Sequence, residues 1–339
     1  MTRLIIQIPC FNEADTIAET IQALPRQLHG IESIEVLIID DGSSDTTADV
    51  AAAAGAHFIK RLRQNQGLAN AYSVGLDTCF RLGADIVVNT DADNQYCADD
   101  IEKLLKPILA GQADVVIGDR KTDDIEHFSP LKKSLQKWGS AVVRRASGTL
   151  VADSTSGFRA LTRKAIESSF IHNRFSYTLE SIVHAGSKGL KIENVAVRTN
   201  PQTRPSRLAR GSSDYIKKNG PVILRSYMMY WPFQTFGFIA SIFMVLGGAL
   251  IVRFLYYYFQ APTVSSHIQS LQIGVGLTVI AFVILLLAIL GDLIAANRRI
   301  TEELLVKCRN IEARLERQDS AAEPLSGLTK TGHRPWSAS

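Results

Sequence analysis

An α/β domain followed by two membrane-spanning helices and a further helix is the architecture that two patterns in the sequence predict. In the first half of the chain, short apolar runs of β-rich composition alternate with helical stretches. Between Phe233 and Leu293 the charged residues almost vanish, leaving Arg253 and Asp292.

Within the first region the strands are Leu4–Ile8, Glu35–Ile39, His57–Ile59, Ile86–Asn89 and Asp114–Ile117. Helices fall between them at about Ala14–Leu28, Thr46–Ala54, Leu68–Leu82 and Asp99–Leu109. Such alternation implies a parallel sheet with helices on both faces, whose ligands lie beyond the carboxyl ends of the strands. Polar residues cluster at those ends: Pro9, Asn12 and Glu13; Asp40, Asp41, Gly42, Ser43 and Asp45; Asp91, Ala92, Asp93 and Gln95; Gly118, Asp119 and Arg120.

The runs Phe233–Phe259 and Leu271–Leu290 each reach the ~20 residues that a bilayer requires. Gln260–Ser270, between them, carries no Lys or Arg. Arg198, Arg204, Arg207, Arg210, Lys217, Lys218 and Arg225 precede the first run, and Arg298 and Arg299 follow the second. The positive-inside rule therefore places both flanks in the cytoplasm and the short loop outside, with Tyr256, Tyr257 and Tyr258 in the outer aromatic belt. The expected segments are a cytosolic domain (1–210), an interfacial connection (211–231), a first span (232–259), an external loop (260–270), a second span (271–293), a cytosolic helix (294–318) and a disordered tail (319–339). Leu304, Cys308, Ile311 and Leu315 form one apolar seam on the last helix, either for self-association or as a plain surface helix. No secretory signal pattern opens the chain, because Pro9 interrupts the short apolar run Leu4–Ile8. A net charge of +4 is too weak to point to nucleic acid, and Cys10, Cys79, Cys97 and Cys308 lack metal-ligand spacing.

Asp91 and Asp93, two residues apart beyond a buried strand, can point the same way. A hard cation such as Mg²⁺ takes one or two carboxylates and fills its remaining positions with water and substrate phosphates, so this pair suits a metal clamped to a diphosphate. Asp40 and Asp41 form a second acidic pair for a nucleoside, while Asp45 reads as turn and helix-cap chemistry.

In order along the chain, Pro9-Cys10-Phe11-Asn12-Glu13, Asp40-Asp41-Gly42-Ser43-Ser44-Asp45, Asn65-Gln66-Gly67 and Asp91-Ala92-Asp93-Asn94-Gln95 resemble family 2 glycosyltransferases with the A-type nucleotide-sugar (Rossmann-like) fold. Gly118-Asp119-Arg120 and Asp153-Ser154-Thr155-Ser156-Gly157-Phe158-Arg159 resemble the dolichol-phosphate mannose synthase and polyprenyl-phosphate glycosyltransferase branch. The motifs run from about Ile5 to Arg207. The resemblance implies that Pro9, Phe11, Glu13, Asp40, Asp41 and Ala92 contact the donor. It implies that Asp91, Asp93 and Gln95 hold Mg²⁺ or Mn²⁺ with the donor diphosphate, and that Arg120 faces an acceptor phosphate. Asp153 would be an active-site carboxylate, acting as base or orienting the acceptor. Asn94 stands where many relatives carry Gly or Leu, and Asp119 where Ser is common.

Basic residues make a lipid-phosphate acceptor reasonable independently. Pro130–Ser147 carries Lys132, Lys133, Lys137, Arg144 and Arg145 around Leu131, Leu135, Trp138 and Val142, a basic amphipathic pattern. Lys137, Ser140 and Arg204 join Arg120 as candidates for the acceptor phosphate. A phosphate monoester arrives largely ionised and needs no strong base. The expected reaction is thus inverting transfer of one sugar from a UDP- or GDP-linked donor to polyprenyl phosphate at the cytoplasmic face of a bacterial plasma membrane, by a homo-oligomer. A processive polysaccharide synthase would share the donor motifs, but the Gln-x-x-Arg-Trp acceptor motif of that group is missing from the sequence. A non-catalytic membrane scaffold would be expected to lose the metal carboxylates, and both are present.

Overall fold

The structure, a computed structural model, describes residues 2–120, 151, 153–169, 177–200, 228, 231–260, 267–318 and 327–337. Two compact units divide the chain: Met1–Ile223 together with Leu305–Ser339, and Leu224–Leu304.

The first unit is built in the order β1 (Arg3–Cys10), α1 (Ile17–Ala23), β2 (Ser33–Asp40), α2 (Thr47–Ala54), β3 (Phe58–Arg61), α3 (Leu68–Arg81) and β4 (Ile86–Asn89). A 3₁₀ turn, Ala98–Asp100, leads into α4 (Ile101–Leu109), then β5 (Val115–Asp119). After these come β6 (Arg159–Thr162), α5 (Arg163–Glu167), α6 (Tyr177–Ser187) and β7 (Ile192–Ala196). The strands of the first half lie where the apolar runs predict them. Helix α1 is shorter than expected because the predicted span crossed Pro25; Leu24 is already extended, as a residue before proline prefers.

The strands run in the order β7-β5-β6-β4-β1-β2-β3, with β1 pairing in parallel with both β2 and β4. Buried on both faces, β1 is apolar at nearly every position. Leu4, Ile6 and Ile8 join the core that also holds Ile17, Ile21, Leu104 and Leu105 from α1 and α4. The wholly parallel sheet predicted from the alternation is corrected: β6 lies antiparallel between β4 and β5, with Asn89 opposite Arg159 and Ile117 also opposite Arg159. Running opposite to its neighbours, β6 brings its amino end to the edge where β1, β2, β4 and β5 have their carboxyl ends.

The expectation of a disordered tail fails for residues 327–337. Leu328–Lys330 (β8) pairs antiparallel with β3, and Trp336–Ser337 (β9) pairs with the start of β2. This strap covers a sheet edge that would otherwise present unpaired backbone groups. Its anchor is His57, whose Nδ1 accepts from Val36 N at 3.0 Å while Nε2 meets the Arg334 carbonyl at 2.9 Å. That arrangement requires a neutral ring with its proton on Nε2. The Trp336 ring meets His57 edge-on at 5.0 Å and carries the Arg26 guanidinium 3.4 Å from its centre. Serine and glycine content hid these contacts, since the strap pairs by backbone and one aromatic.

The second unit contains α7 (Pro232–Gln260) and α8 (Ile268–Gln318) up to Leu304; both helices are long and apolar enough to cross a membrane. The predicted second span and the following helix are one continuous helix. Phe238, Val245, Val252 and Phe259 point outward at seven-residue intervals. Ala240 and Gly247 on α7 face inward, as do Ala281, Ala288 and Ala295 on α8. A Cβ on Gly274 would lie 2.9 Å from the Gly247 carbonyl, so glycine there is required by the close approach of the two backbones. Large apolar side chains outside and small ones between the helices suit a lipid surround.

Burial, opposed by the Arg334 carbonyl and reinforced by the charges of His333 and Arg26, holds His57 below its ordinary value near 6.5. A lowered folded value means that its contribution is whole above about pH 6.5 and is lost as the pH falls through that lower value. Between about pH 7.5 and about pH 5.5 the thermal unfolding midpoint should therefore drop more steeply in the native protein than in His57→Phe.

Candidate functional site

The site lies along the edge where β1, β2, β4 and β5 end and β6 begins. Its first two loops are tied to each other. Asn12 N donates to Ser43 Oγ and Asn12 Oδ1 accepts from Ser44 N, both at 2.9 Å. Glu13 N donates to Thr47 Oγ1 at 2.9 Å. Asp45 accepts from Thr47 N at 3.0 Å and Ala14 N at 3.3 Å, which is the structural role expected of it. These bonds outweigh its desolvation and hold its carboxyl below the usual range.

Asp40 is fully buried, accepts from Ser43 N at 2.8 Å and pairs with Arg61 Nε at 3.1 Å. Arg61 also donates to the Ser43 carbonyl, so a cation that sequence reasoning passed over fixes this loop. Asp41 accepts from Gln66 N and Gly67 N at 2.9 and 2.8 Å, orienting the turn that starts α3. Burial nonetheless raises its pKa. Both acidic residues thus fix the backbone of these loops. Pro9 is buried at the end of β1, whereas Phe11 is 39% exposed, an aromatic face held open at the site edge.

The β4 loop carries Asp91 and Asp93. Ala92 is buried, its carbonyl accepting from Thr20 Oγ1 at 3.0 Å, and Asp93 Oδ1 accepts from Gln95 N at 3.1 Å. Asn94 adopts φ 53°, a left-handed conformation that asparagine tolerates better than most residues. Burial and then the Asp93 charge push the Asp91 pKa up to about 6. A desolvated carboxylate with a second carboxylate beside it is suited to a cation. Among the described residues no cluster of three or more His, Cys, Asp or Glu is gathered for a metal, so Asp91 and Asp93 would need a ligand's oxygens and water to complete a divalent shell.

Beyond this loop, Arg120 meets Asp153 in a two-pronged pair, Nε to Oδ2 at 2.7 Å and Nη2 to Oδ1 at 3.2 Å. Thr155 Oγ1 accepts from Arg120 Nη2 and donates to Asp153 Oδ1, each at 2.8 Å. Burial would raise the Asp153 pKa, but the Arg120 bonds and charge prevail and lower it. The geometry therefore makes Asp153 a permanent anion that holds a guanidinium, a poor proton acceptor near neutrality. Lys137, Ser140 and Arg204, with the basic segment Pro130–Ser147 and its expected amphipathic pattern, lie outside the described residues. Arg198, counted with the basic flank, is committed to the buried Asp100 through Nη2 at 2.8 Å and its backbone N at 2.6 Å.

Asn89 and Tyr96, which organise the site, carried no sequence assignment, and Arg159 appeared only as the end of a motif with no role of its own. Asn89, fully buried, accepts from Gln7 Nε2 at 2.9 Å and donates to the Gly157 carbonyl at 2.7 Å. Tyr96 Oη accepts from Gly157 N at 3.1 Å, and its ring stacks on Phe158. Arg159, 1% exposed, donates to the carbonyls of Ser156 and Ser154 at 2.8 and 3.2 Å and to Ser181 Oγ at 2.6 Å. The available signal was a polar residue closing the otherwise apolar strand Ile86-Val87-Val88-Asn89.

Residues 5–170 match the family described as Glycosyl transferase family 2. The UDP-N-acetylglucosamine–dolichyl-phosphate N-acetylglucosaminyltransferase of Methanococcus voltae is 30% identical over 213 residues, 57% of this chain and 83% of that protein. Glycosyltransferase AglJ of Haloferax volcanii is 30% identical over 309 residues, 87% of this chain and 94% of its own. The undecaprenyl-phosphate mannosyltransferase of Micrococcus luteus is 28% identical over 206 residues, 58% and 82% of the two chains. In fold the chain is similar to glucosyl-3-phosphoglycerate synthase of Mycobacterium tuberculosis, solved with Mn²⁺, UDP and phosphoglyceric acid, at TM-score 0.50 and 19% identity over 67% of this chain and 78% of that one.

The Asn12 clamp separates side-chain from backbone contributions, because this residue also sits at φ 53°. Asn12→Gly should cost about 1 kcal/mol of unfolding free energy for the lost bond to Ser44 N. Asn12→Ala should cost about 2–3 kcal/mol, adding the left-handed penalty; equal losses in denaturant titration would contradict this.

Proposed function

The chain belongs to the family 2 glycosyltransferases, and on that premise we propose that it transfers a single sugar from a UDP- or GDP-linked donor to polyprenyl phosphate, with inversion, at the cytoplasmic membrane face. The observation that carries the reading is the meeting of two oppositely equipped groups on one sheet edge: the Asp91–Asp93 carboxylates and the Arg120–Asp153 pair. The M. voltae and M. luteus relatives act, by name, on lipid phosphates, and the two long apolar helices suit such a substrate.

In this reading Phe11 and Glu13, with the Asp40–Asp41 loop, hold the nucleoside. Asp91 and Asp93, with Gln95 beside them, hold Mg²⁺ or Mn²⁺ against the diphosphate. The metal, when bound, neutralises the charge of the leaving nucleoside diphosphate. Arg120 receives the acceptor phosphate and offsets repulsion between the two anions. Asp153 and Thr155 fix the guanidinium plane, so that its remaining donors are presented in one direction. The phosphate monoester is ionised on arrival and needs no proton removed. Asp153 is accordingly an orienting residue rather than a base. Lys137, Ser140 and Arg204 complete the acceptor site from the basic segments. The exposed Leu304, Ile311 and Leu315 support self-association through α8.

Incubation with a panel of UDP- and GDP-sugars and undecaprenyl phosphate should give a lipid-linked monosaccharide from one donor, abolished by chelator and by Asp93→Ala. No transfer from any donor by folded, metal-supplied protein would contradict the reading. Asp153→Asn should raise the acceptor KM roughly tenfold, the equivalent of about 1.4 kcal/mol, without a new acid limb in the pH profile. A rate that collapses at all acceptor concentrations and recovers with rising pH would instead make Asp153 a base.

A further inference from the structure

Gly157 occupies the boundary between the two halves of the site. A Cβ there would lie 3.0 and 3.1 Å from the Asp91 carboxylate oxygens and 2.7 Å from Tyr177 Oη, so only a bare backbone fits. The flanking polar groups of this residue are both held from the β4 side: its N–H by Tyr96 Oη at 3.1 Å and its carbonyl by Asn89 Nδ2 at 2.7 Å. Asn89 is itself fixed, accepting from Gln7 Nε2 at 2.9 Å and donating to Tyr177 Oη at 3.3 Å. Tyr177 stacks on Tyr72 with ring centres 3.9 Å apart. Four residues before Gly157 stands Asp153, the partner of Arg120, and the carbonyls of Ser154 and Ser156 between them are gripped by Arg159.

We infer that Asn89 and Tyr96 are positioning residues that clamp the Gly157 backbone against Asp91 and thereby set the separation of the metal-and-donor carboxylates from the acceptor-binding Arg120–Asp153 pair. The inference rests on the function proposed above for that site. Neither residue touches substrate in this scheme. Their effect is on alignment: a short rigid link has no slack, and a displacement of about 1 Å between reacting groups costs on the order of a hundredfold in rate. Each half of the site keeps its own contacts when the clamp is lost, Asp91 and Asp93 on their loop and Arg120 on Asp153. Substrate binding should survive while turnover falls.

The test uses the full-length protein in mild detergent, with Tyr96→Phe, which keeps the ring and removes the hydroxyl that holds Gly157 N and the Ser156 side chain, and with Asn89→Ala. Titration calorimetry with UDP and with GDP in the presence of Mn²⁺ reads the donor half. Transfer to undecaprenyl phosphate at saturating substrates reads alignment. Hydrogen exchange across residues 153–159 reads the clamp itself. The expected result is kcat lowered about tenfold or more, nucleotide affinity within about twofold of the native protein, and faster exchange confined to that segment. Unchanged kcat in Tyr96→Phe overturns the inference. So does loss of nucleotide binding in step with turnover, which would place these residues inside the metal site. If Asn89→Ala does not fold, Tyr96→Phe decides alone. If the native protein transfers no sugar, the proposed reaction fails, and the clamp is judged by exchange: unchanged protection of 153–159 in Tyr96→Phe overturns it.

Discussion

Insertion of one antiparallel strand into an otherwise parallel half-sheet is the constraint on which the site depends. With β6 reversed between β4 and β5, the segment 153–158 reaches the same edge as the loops after β1, β2, β4 and β5. A parallel strand in that place would have delivered its carboxyl end instead, and Asp153 would lie at the opposite edge from Arg120. The register that sets Arg159 opposite both Asn89 and Ile117 also places Gly157 beside Asp91. Topology, register and the missing Cβ act together, and none of them alone would bring an Arg–Asp pair alongside two metal-suited carboxylates.

Charge follows the same division. On one side, acidic groups are concentrated where a cation and a diphosphate would meet, and Asp91 is strained upward in pKa by burial and by Asp93. On the other, Arg120 is balanced by Asp153, which keeps an arginine in a desolvated place ionised and correctly oriented. Backbone amides of Gln66 and Gly67 hold Asp41, while Ser43 N and the Arg61 ion pair hold Asp40, so both carboxylates are engaged in fixing their loops.

Strands and helices of the first half were legible because β1, β2 and β4 are buried on both faces and read as largely apolar runs. The strand-end clusters, the Asp45 turn and the two apolar helices were legible for similar reasons, since each is a local signal; the cap itself falls on Thr46, which makes no side-chain capping bond. Strand β6 was not, since Arg-Ala-Leu-Thr is short and begins with an arginine whose burial depends on three partners distant in the fold or on the preceding turn. The strap at 327–337 was missed because its pairing rests on β2 and β3, far away in sequence. Asn89, Tyr96 and Arg61 gave no motif because their significance lies in what they touch.

If the proposed function holds, one sheet edge carries two separable half-sites, the donor at Asp91 and Asp93 and the acceptor at Arg120 and Asp153. The most direct test is binding alone, measured on Asp93→Ala and Arg120→Ala with UDP or GDP plus Mn²⁺ and, separately, with undecaprenyl phosphate in detergent. The expected result is crossed: Asp93→Ala loses nucleotide and keeps the lipid phosphate, while Arg120→Ala does the reverse. Parallel loss of both ligands in either folded variant would contradict it.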